Sequence, residues 1–152
     1  MADVEVLFYH LERRPLEAVL PQLVEKSLER GWRVVVQAST QERLGALDDL
    51  LWTWSDDSFI PHAPDREPEA DREPVVLTLT DRNPNEAQIR FLVEGAPLPT
   101  DARGYARIVL LFDGTDDEAV AGARRTWRSV REAGYAATYW QQSEAGRWEK
   151  KA

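Results

Sequence analysis

VEVLFYHLERRPLEAVLPQLVEKSLERGWRVVVQA, Val4 to Ala38, is the stretch from which the fold can be read. Val4–Tyr9 and Arg33–Ala38 are short, mostly apolar runs rich in β-branched and aromatic residues, the pattern of buried strands. Between them Leu16, Val19, Leu20, Leu23, Val24 and Leu28 recur at helical spacing. Pro15 suits a helix start and Gly31 a helix stop, while Pro21 falls inside the pattern and predicts a kink or an offset start. Strand, helix, strand in this order opens an α/β fold with parallel strands and a crossover connection.

Working outward, Ser39 is placed to cap a second helix, with Glu42 three residues on as in a capping box and Leu44, Leu47, Leu50 and Leu51 as its inner face. Ala63–Glu73, with two prolines and five acids, reads as an acidic surface loop. Val75–Thr80 and Ile89–Glu94 are short strands separated by DRNPN, which predicts a hairpin and therefore a mixed sheet. Arg107–Phe112 is the most apolar strand and is expected near the centre. Gly114 and Thr115 lead into a third helix with Asp116, Asp117 and Glu118 in its first turn, and Gly134 ends it. Tyr135–Gln141 forms a last strand. The expected architecture is a single-domain, three-layer α/β/α sandwich over residues 1–142 with a mixed, mostly parallel sheet. Residues 143–152 follow as a tail that is polar apart from Trp148.

At 152 residues the chain fits one domain with one core. It has no cysteine, which removes disulfides, thiolate metal sites and cysteine nucleophiles. No apolar run approaches the roughly 20 residues needed to span a bilayer, and MADVEV has no signal-peptide pattern, so a cytoplasmic location is expected. The net charge of −8 argues against strong direct binding to nucleic acid and leaves room only for a local basic patch.

Few residues of the chain form a constellation that could carry chemistry. Neither GxGxxG nor GxxxxGK[ST] occurs at a strand-to-helix junction, so no phosphate-cradling loop is present. The two histidines, His10 and His62, do not make a zinc site by themselves, and no cofactor or metal is expected. His10, ending the first strand near Asp113, is either a structural hydrogen-bonder or, in an enzyme reading, a catalytic group.

Two stretches point instead to partner binding. In LDDLLWTWSDDSFIPH, Leu47–His62, Trp52 and Trp54 lie about 200° apart on a helix and cannot both face one core. Asp56, Asp57 and Ser58 favour a turn that would present Phe59, Ile60 and Pro61; either these residues dock a partner, or Trp52 closes the core and Phe59 pins the loop. In the third helix Arg124, Arg128 and Arg131 share one stripe with Trp127 beside it. Guanidinium groups grip carboxylates in bidentate fashion and an indole gives a flat wall, which suits an acidic peptide with an aromatic anchor. The alternative places Trp127 in the core with Val120, Ala123 and Val130 and leaves the arginines solvated.

Taken together, FYHL at Phe8–Leu11, GWRVVV at Gly31–Val36, the LDDLLWTWSDDSFIPH block, LFDG at Leu111–Gly114 and ARRTWRSVREAGYAATYWQQSEAGRWEKK at Ala123–Lys151 resemble the chi subunit family of the bacterial DNA polymerase III holoenzyme. The resemblance implies a mononucleotide-binding-like fold without the phosphate loop. It also implies a non-catalytic accessory subunit linking the clamp loader, through a small partner called psi, to single-stranded DNA-binding protein. It assigns Trp52, Phe59, Ile60, Pro61 and His62 to the psi-like docking surface. Arg124, Trp127 and Arg128 are assigned to capture of the acidic, phenylalanine-terminated tail of single-stranded DNA-binding protein. Trp127 replaces the tyrosine of enteric members, which also lack the GRWEKK ending. A repair helicase using the Trp52–Pro61 surface and a small α/β enzyme are the competing readings.

Overall fold

A computed structural model describes residues 4–54 and 59–152. The elements are β1 (Glu5–Leu11), α1 (Leu16–Glu29), β2 (Val34–Gln37), α2 (Gln41–Thr53), β3 (His62–Pro64), β4 (Val75–Thr78), β5 (Ile89–Val93), β6 (Arg107–Asp113), α3 (Asp117–Glu132), β7 (Ala136–Gln142) and β8 (Trp148–Lys150). They form one sheet in the order β3-β4-β2-β5-β6-β1-β7-β8. Every pairing is parallel except that of β7 with β8. Side chains alternate across the sheet: Leu7, Leu11, Val34 and Val36 face the layer of α1 and α2, while Val6, Phe8 and Val35 face the opposite side, where α3 lies over β1, β6 and β7. This is the expected three-layer sandwich, with β6 in its interior. Among the described residues no helix is long and apolar enough to cross a membrane.

Local signals act as the sequence predicts at most helix ends. Gly31 and Gly134 take φ +82. In both helices the residue after the glycine donates back five positions, Trp32 N to Ser27 O and Tyr135 N to Val130 O, each at 3.1 Å. α1 runs unbroken across the buried Pro21. The second helix begins one residue later than expected: Thr40, not Ser39, is the N-cap and accepts from Arg43 N at 3.2 Å. Glu42 is therefore one residue short of the capping-box position.

The expected hairpin is not formed. β4 and β5 lie parallel on the two sides of β2. The turn residues of DRNPN report that the chain changes direction, not which strand its flanks pair with, and β2 offers two fully buried edges. Two buried polar side chains hold the connection. Asn85 Nδ2 lies within reach of the carbonyl oxygens of Glu73, Val34 and Pro74, at 3.0, 3.1 and 3.3 Å. Arg90, fully buried, donates to Arg82 O and the Tyr105 hydroxyl at 3.0 Å, to Gln37 Oε1 at 2.5 Å and to Thr80 O. The sheet owes its mixed character to β8.

Two further segments differ from expectation. The acidic stretch at 63–73 starts as an edge strand, since Ala63 and Pro64 belong to β3 and pair with β4, and Ala70 is buried in a short 3₁₀ turn. Residues 143–152, expected as a polar tail, turn back on β7 and form β8. Trp148 anchors that return by packing on Tyr9, ring centroids 4.7 Å apart. The turn expected at Asp56, Asp57 and Ser58 lies outside the described residues.

Gln142, buried at the end of β7, ties the sheet's edge to the β1–α1 loop: its Oε1 accepts from the main-chain N–H groups of Arg13, Arg14 and Glu12, at 3.0, 3.1 and 3.4 Å. Gln142→Ala leaves those donors without their acceptor. Urea denaturation should show a loss of about 1–3 kcal/mol at unchanged m.

Candidate functional site

α3 is built to show two stripes. Asp116 caps it by accepting from Glu118 N at 3.0 Å, and Asp117 and Glu118 follow in the first turn, which suits the macrodipole. Ala123, Trp127 and Val130 face the sheet, whereas Arg124, Arg128 and Arg131 are exposed along the neighbouring stripe. Trp127 belongs to both environments. Its half-buried ring meets Phe8 edge-on at 5.2 Å and Tyr139 at 6.0 Å, while the Arg131 guanidinium lies 5.8 Å from its centroid.

Behind this helix Tyr139 stands in register with Phe8 on the neighbouring parallel strand. Its hydroxyl shares a 2.7 Å hydrogen bond with His10 Nδ1. Burial raises the Tyr139 pKa above its usual value, and the positive charge of Arg124 opposes that rise. The arrangement therefore offers fixed positive charge beside an aromatic wall whose rings are held by one another. Tyr139 and His10 are the residues that sequence spacing does not connect to α3. The alternation in YAATYWQ places Tyr139 and Ala137 on one face of β7, but the partner strand is 129 residues away.

The second candidate surface divides. Trp52 is 53 % exposed and Phe59 66 %, with ring centroids 5.5 Å apart. Ile60 is instead 1 % exposed and packs in the core beneath α1 and α2, and Pro61 is half-buried. His62 is 4 % exposed and lies under Trp52, ring centroids 4.5 Å apart. It hydrogen-bonds Ile60 O through Nδ1 at 2.7 Å and Asp48 Oδ1 through Nε2 at 2.8 Å. Trp52 and Phe59 thus form the exposed pair, and Ile60 and His62 form its foundation. This surface sits on the helical layer opposite α3 and toward the β3 edge, so the two groups of residues do not converge on one site.

Open α/β sheets bind ligands at the carboxyl ends of their strands. Here the cleft of about 1010 Å³ at those ends is lined by six carboxylates (Glu12, Glu17, Glu94, Asp113, Asp116, Glu118) against four arginines (Arg13, Arg14, Arg43, Arg125). Arg43 is occupied by Glu94 at 2.7 Å and Glu17 at 3.2 Å. Asp113 accepts from Thr115 Oγ1 and Thr115 N, which lower its pKa. The main-chain donors that could cradle a phosphate already meet Gln142. His10 lies against Gly114, where a Cβ would sit 2.0 Å from its ring, and its Nε2 is shielded from solvent 3.0 Å from Glu12 Oε1. His10 is therefore placed as a structural partner of Tyr139. Among the described residues no group of three or more His, Cys, Asp or Glu side chains is arranged to hold a metal.

A family model described as "DNA polymerase III chi subunit, HolC" matches residues 4–138. A curated relative, "Probable DNA polymerase III subunit chi" of Rickettsia prowazekii (strain Madrid E), is 27 % identical over 115 residues, covering 69 % of this chain and 67 % of the relative.

The unequal burial within 59–62 has a measurable consequence. His62→Ala should lower unfolding stability by about 1–3 kcal/mol through the lost buried hydrogen bonds. Phe59→Ala, at an exposed position, should change it by no more than about 0.5 kcal/mol. Equal effects in chemical denaturation would contradict this division of roles.

Proposed function

The chain belongs to the DNA polymerase III chi subunit family, accessory subunits of the replicative polymerase, and on that footing we propose that it acts as a non-catalytic tether between the polymerase assembly and single-stranded DNA-binding protein. The observation that carries the tail-binding part is the exposed Arg124, Arg128 and Arg131 stripe beside the half-buried Trp127. An acidic tail needs cations that are not already neutralised, and among the described residues none of these three arginines is in an ion pair with a carboxylate. A terminal phenylalanine needs an apolar wall, which Trp127 and Tyr139 supply with little ordering cost because both rings are already packed. Arg124 and Arg128 grip the tail's carboxylates, and Trp127 takes its aromatic end.

The exposed Trp52 and Phe59 pair is the docking surface for a psi-like clamp-loader partner, with Ile60, Pro61 and His62 holding the two rings in place. Large aromatics on a supported, exposed patch are typical anchors of protein interfaces. Because the two surfaces lie on opposite layers of the sandwich, both partners can be held at once. Many tails on a coated strand raise the effective concentration seen by each copy, so a weak individual contact is sufficient.

Calorimetric titration with a synthetic acidic peptide ending in phenylalanine tests the reading. Arg124→Ala should weaken binding by about 1.5–3 kcal/mol, and wild-type affinity should fall with added salt. Unchanged affinity in the variant would remove the α3 site from the proposal. In a companion capture experiment from cell extract, recovery of neither single-stranded DNA-binding protein nor a clamp-loader subunit would contradict the tether itself.

A further inference from the structure

On the helical layer opposite α3, a second cleft of about 490 Å³ opens between α1 and the turn that leads into β8. Its lining contains Arg14, Lys26, Arg30, Arg107 and Arg147 and, among the described residues, no aspartate or glutamate. That is the reverse of the cleft at the strand ends, and it occurs in a chain of net charge −8. Arg107 has one distant carboxylate, Glu5 at 3.8 Å; the other four cations make no ion pair among the described residues. Five cations with a single, distant carboxylate between them repel one another, so the cleft is electrostatically prepared for an anion.

Its remaining surfaces narrow the class of anion. Beneath the cleft lie the buried core residues Ile89, Phe91 and Val109, each no more than 3 % exposed. Tyr9 and Trp148 form one wall with their rings 4.7 Å apart, and burial raises the Tyr9 pKa, so this phenol stays neutral. Two of the lining cations, Arg30 and Arg107, are themselves held against Trp32 outside the cleft, 4.8 and 5.4 Å from its ring centroid. A planar ring carrying phosphate matches this combination of aromatic face and cationic rim. An acidic peptide matches it less well. The walls are a helix and a sheet face whose main-chain groups are already paired, so peptide amides laid in the cleft would find no partners. A cleft of about 490 Å³ is far smaller than a duplex.

We infer that this cleft binds single-stranded DNA, one base stacking against Trp148 while the neighbouring phosphodiesters meet Lys26, Arg30 and Arg147. Trp148 and Arg147 lie beyond residue 138, where the family match ends. The site is distinct from the α3 stripe and faces the opposite way, so bare strand and protein tail are held on separate layers.

Fluorescence anisotropy of a short fluorescein-labelled oligothymidylate on the full chain tests this. Lys26→Glu in α1 and Arg30→Glu at its C-cap, both exposed, should together weaken binding at least tenfold and reduce its salt dependence. Trp148→Ala should weaken it about five- to hundred-fold; because Trp148 also anchors β8, the α1 variants carry the decision. Arg124→Ala should leave oligonucleotide binding unchanged, which separates this site from the tail site. Three outcomes would each overturn the proposal: no binding by the wild type, equal binding of a labelled duplex, or loss in the α1 variants of an acidic peptide's binding but not the oligonucleotide's.

Discussion

A parallel sheet whose strands are buried on both sides must be roofed on both faces, and the rest of this molecule follows from how the two roofs are made. One face receives two helices, α1 and α2, whose leucines and valines meet Leu7, Val34, Val36 and Phe91. The other receives only α3, which reaches Phe8, Leu110 and Phe112 but leaves the part of the sheet around β2 and β5 to loops. Those loops bring Ala87, Ala96, Ala102 and Tyr105 into the core, and Arg90 fastens them. A buried guanidinium is costly unless its donors are met; the two terminal nitrogens of Arg90 meet the carbonyl oxygens of Thr80 and Arg82, the amide of Gln37 and the hydroxyl of Tyr105, which hold the loops where the core requires them, while its Nε has no partner.

The short roof also shapes α3. Because a single helix covers β1, β6 and β7, its inward stripe has to fill wide spaces, and it does so with an indole instead of an aliphatic side chain. Trp127 reaches Phe8 and Tyr139, and its outer part remains accessible beside the arginines. The structural role and the proposed binding role therefore fall on one residue. The same economy governs the opposite end of the sheet, where His62 is buried by its contacts with Asp48 and Ile60 and carries the exposed Trp52 above it.

Much of the candidate α3 site is legible in the sequence because helical spacing is local: Arg124, Arg128 and Arg131 fall on one stripe whatever the helix packs against. The aromatic wall behind it is not. Tyr139 joins Phe8 and His10 only through the parallel register of β7 with β1, which no short-range signal states. The segment Phe59–His62 illustrates a second limit. Its contiguous apolar residues announce a patch, but whether Phe59 or Ile60 turns inward depends on how α2 meets β3, and the structure sends Ile60 to the core and Phe59 to solvent.

By itself the sequence determined the element types other than β3 and β8, the glycine stops at Gly31 and Gly134, the buried character of the strands and the absence of a phosphate loop. These rest on backbone conformation and side-chain periodicity, which act over a few residues. Only the tertiary structure decided that β4 and β5 flank β2 instead of forming a hairpin, that residues 148–150 close the sheet, and that scattered cations gather in one cleft beside Trp148. Strand partnership and charge clustering are sums of burial, hydrogen bonding and Coulomb terms between segments far apart in the chain. Such sums acquire a value only when the competing pairings are compared in three dimensions.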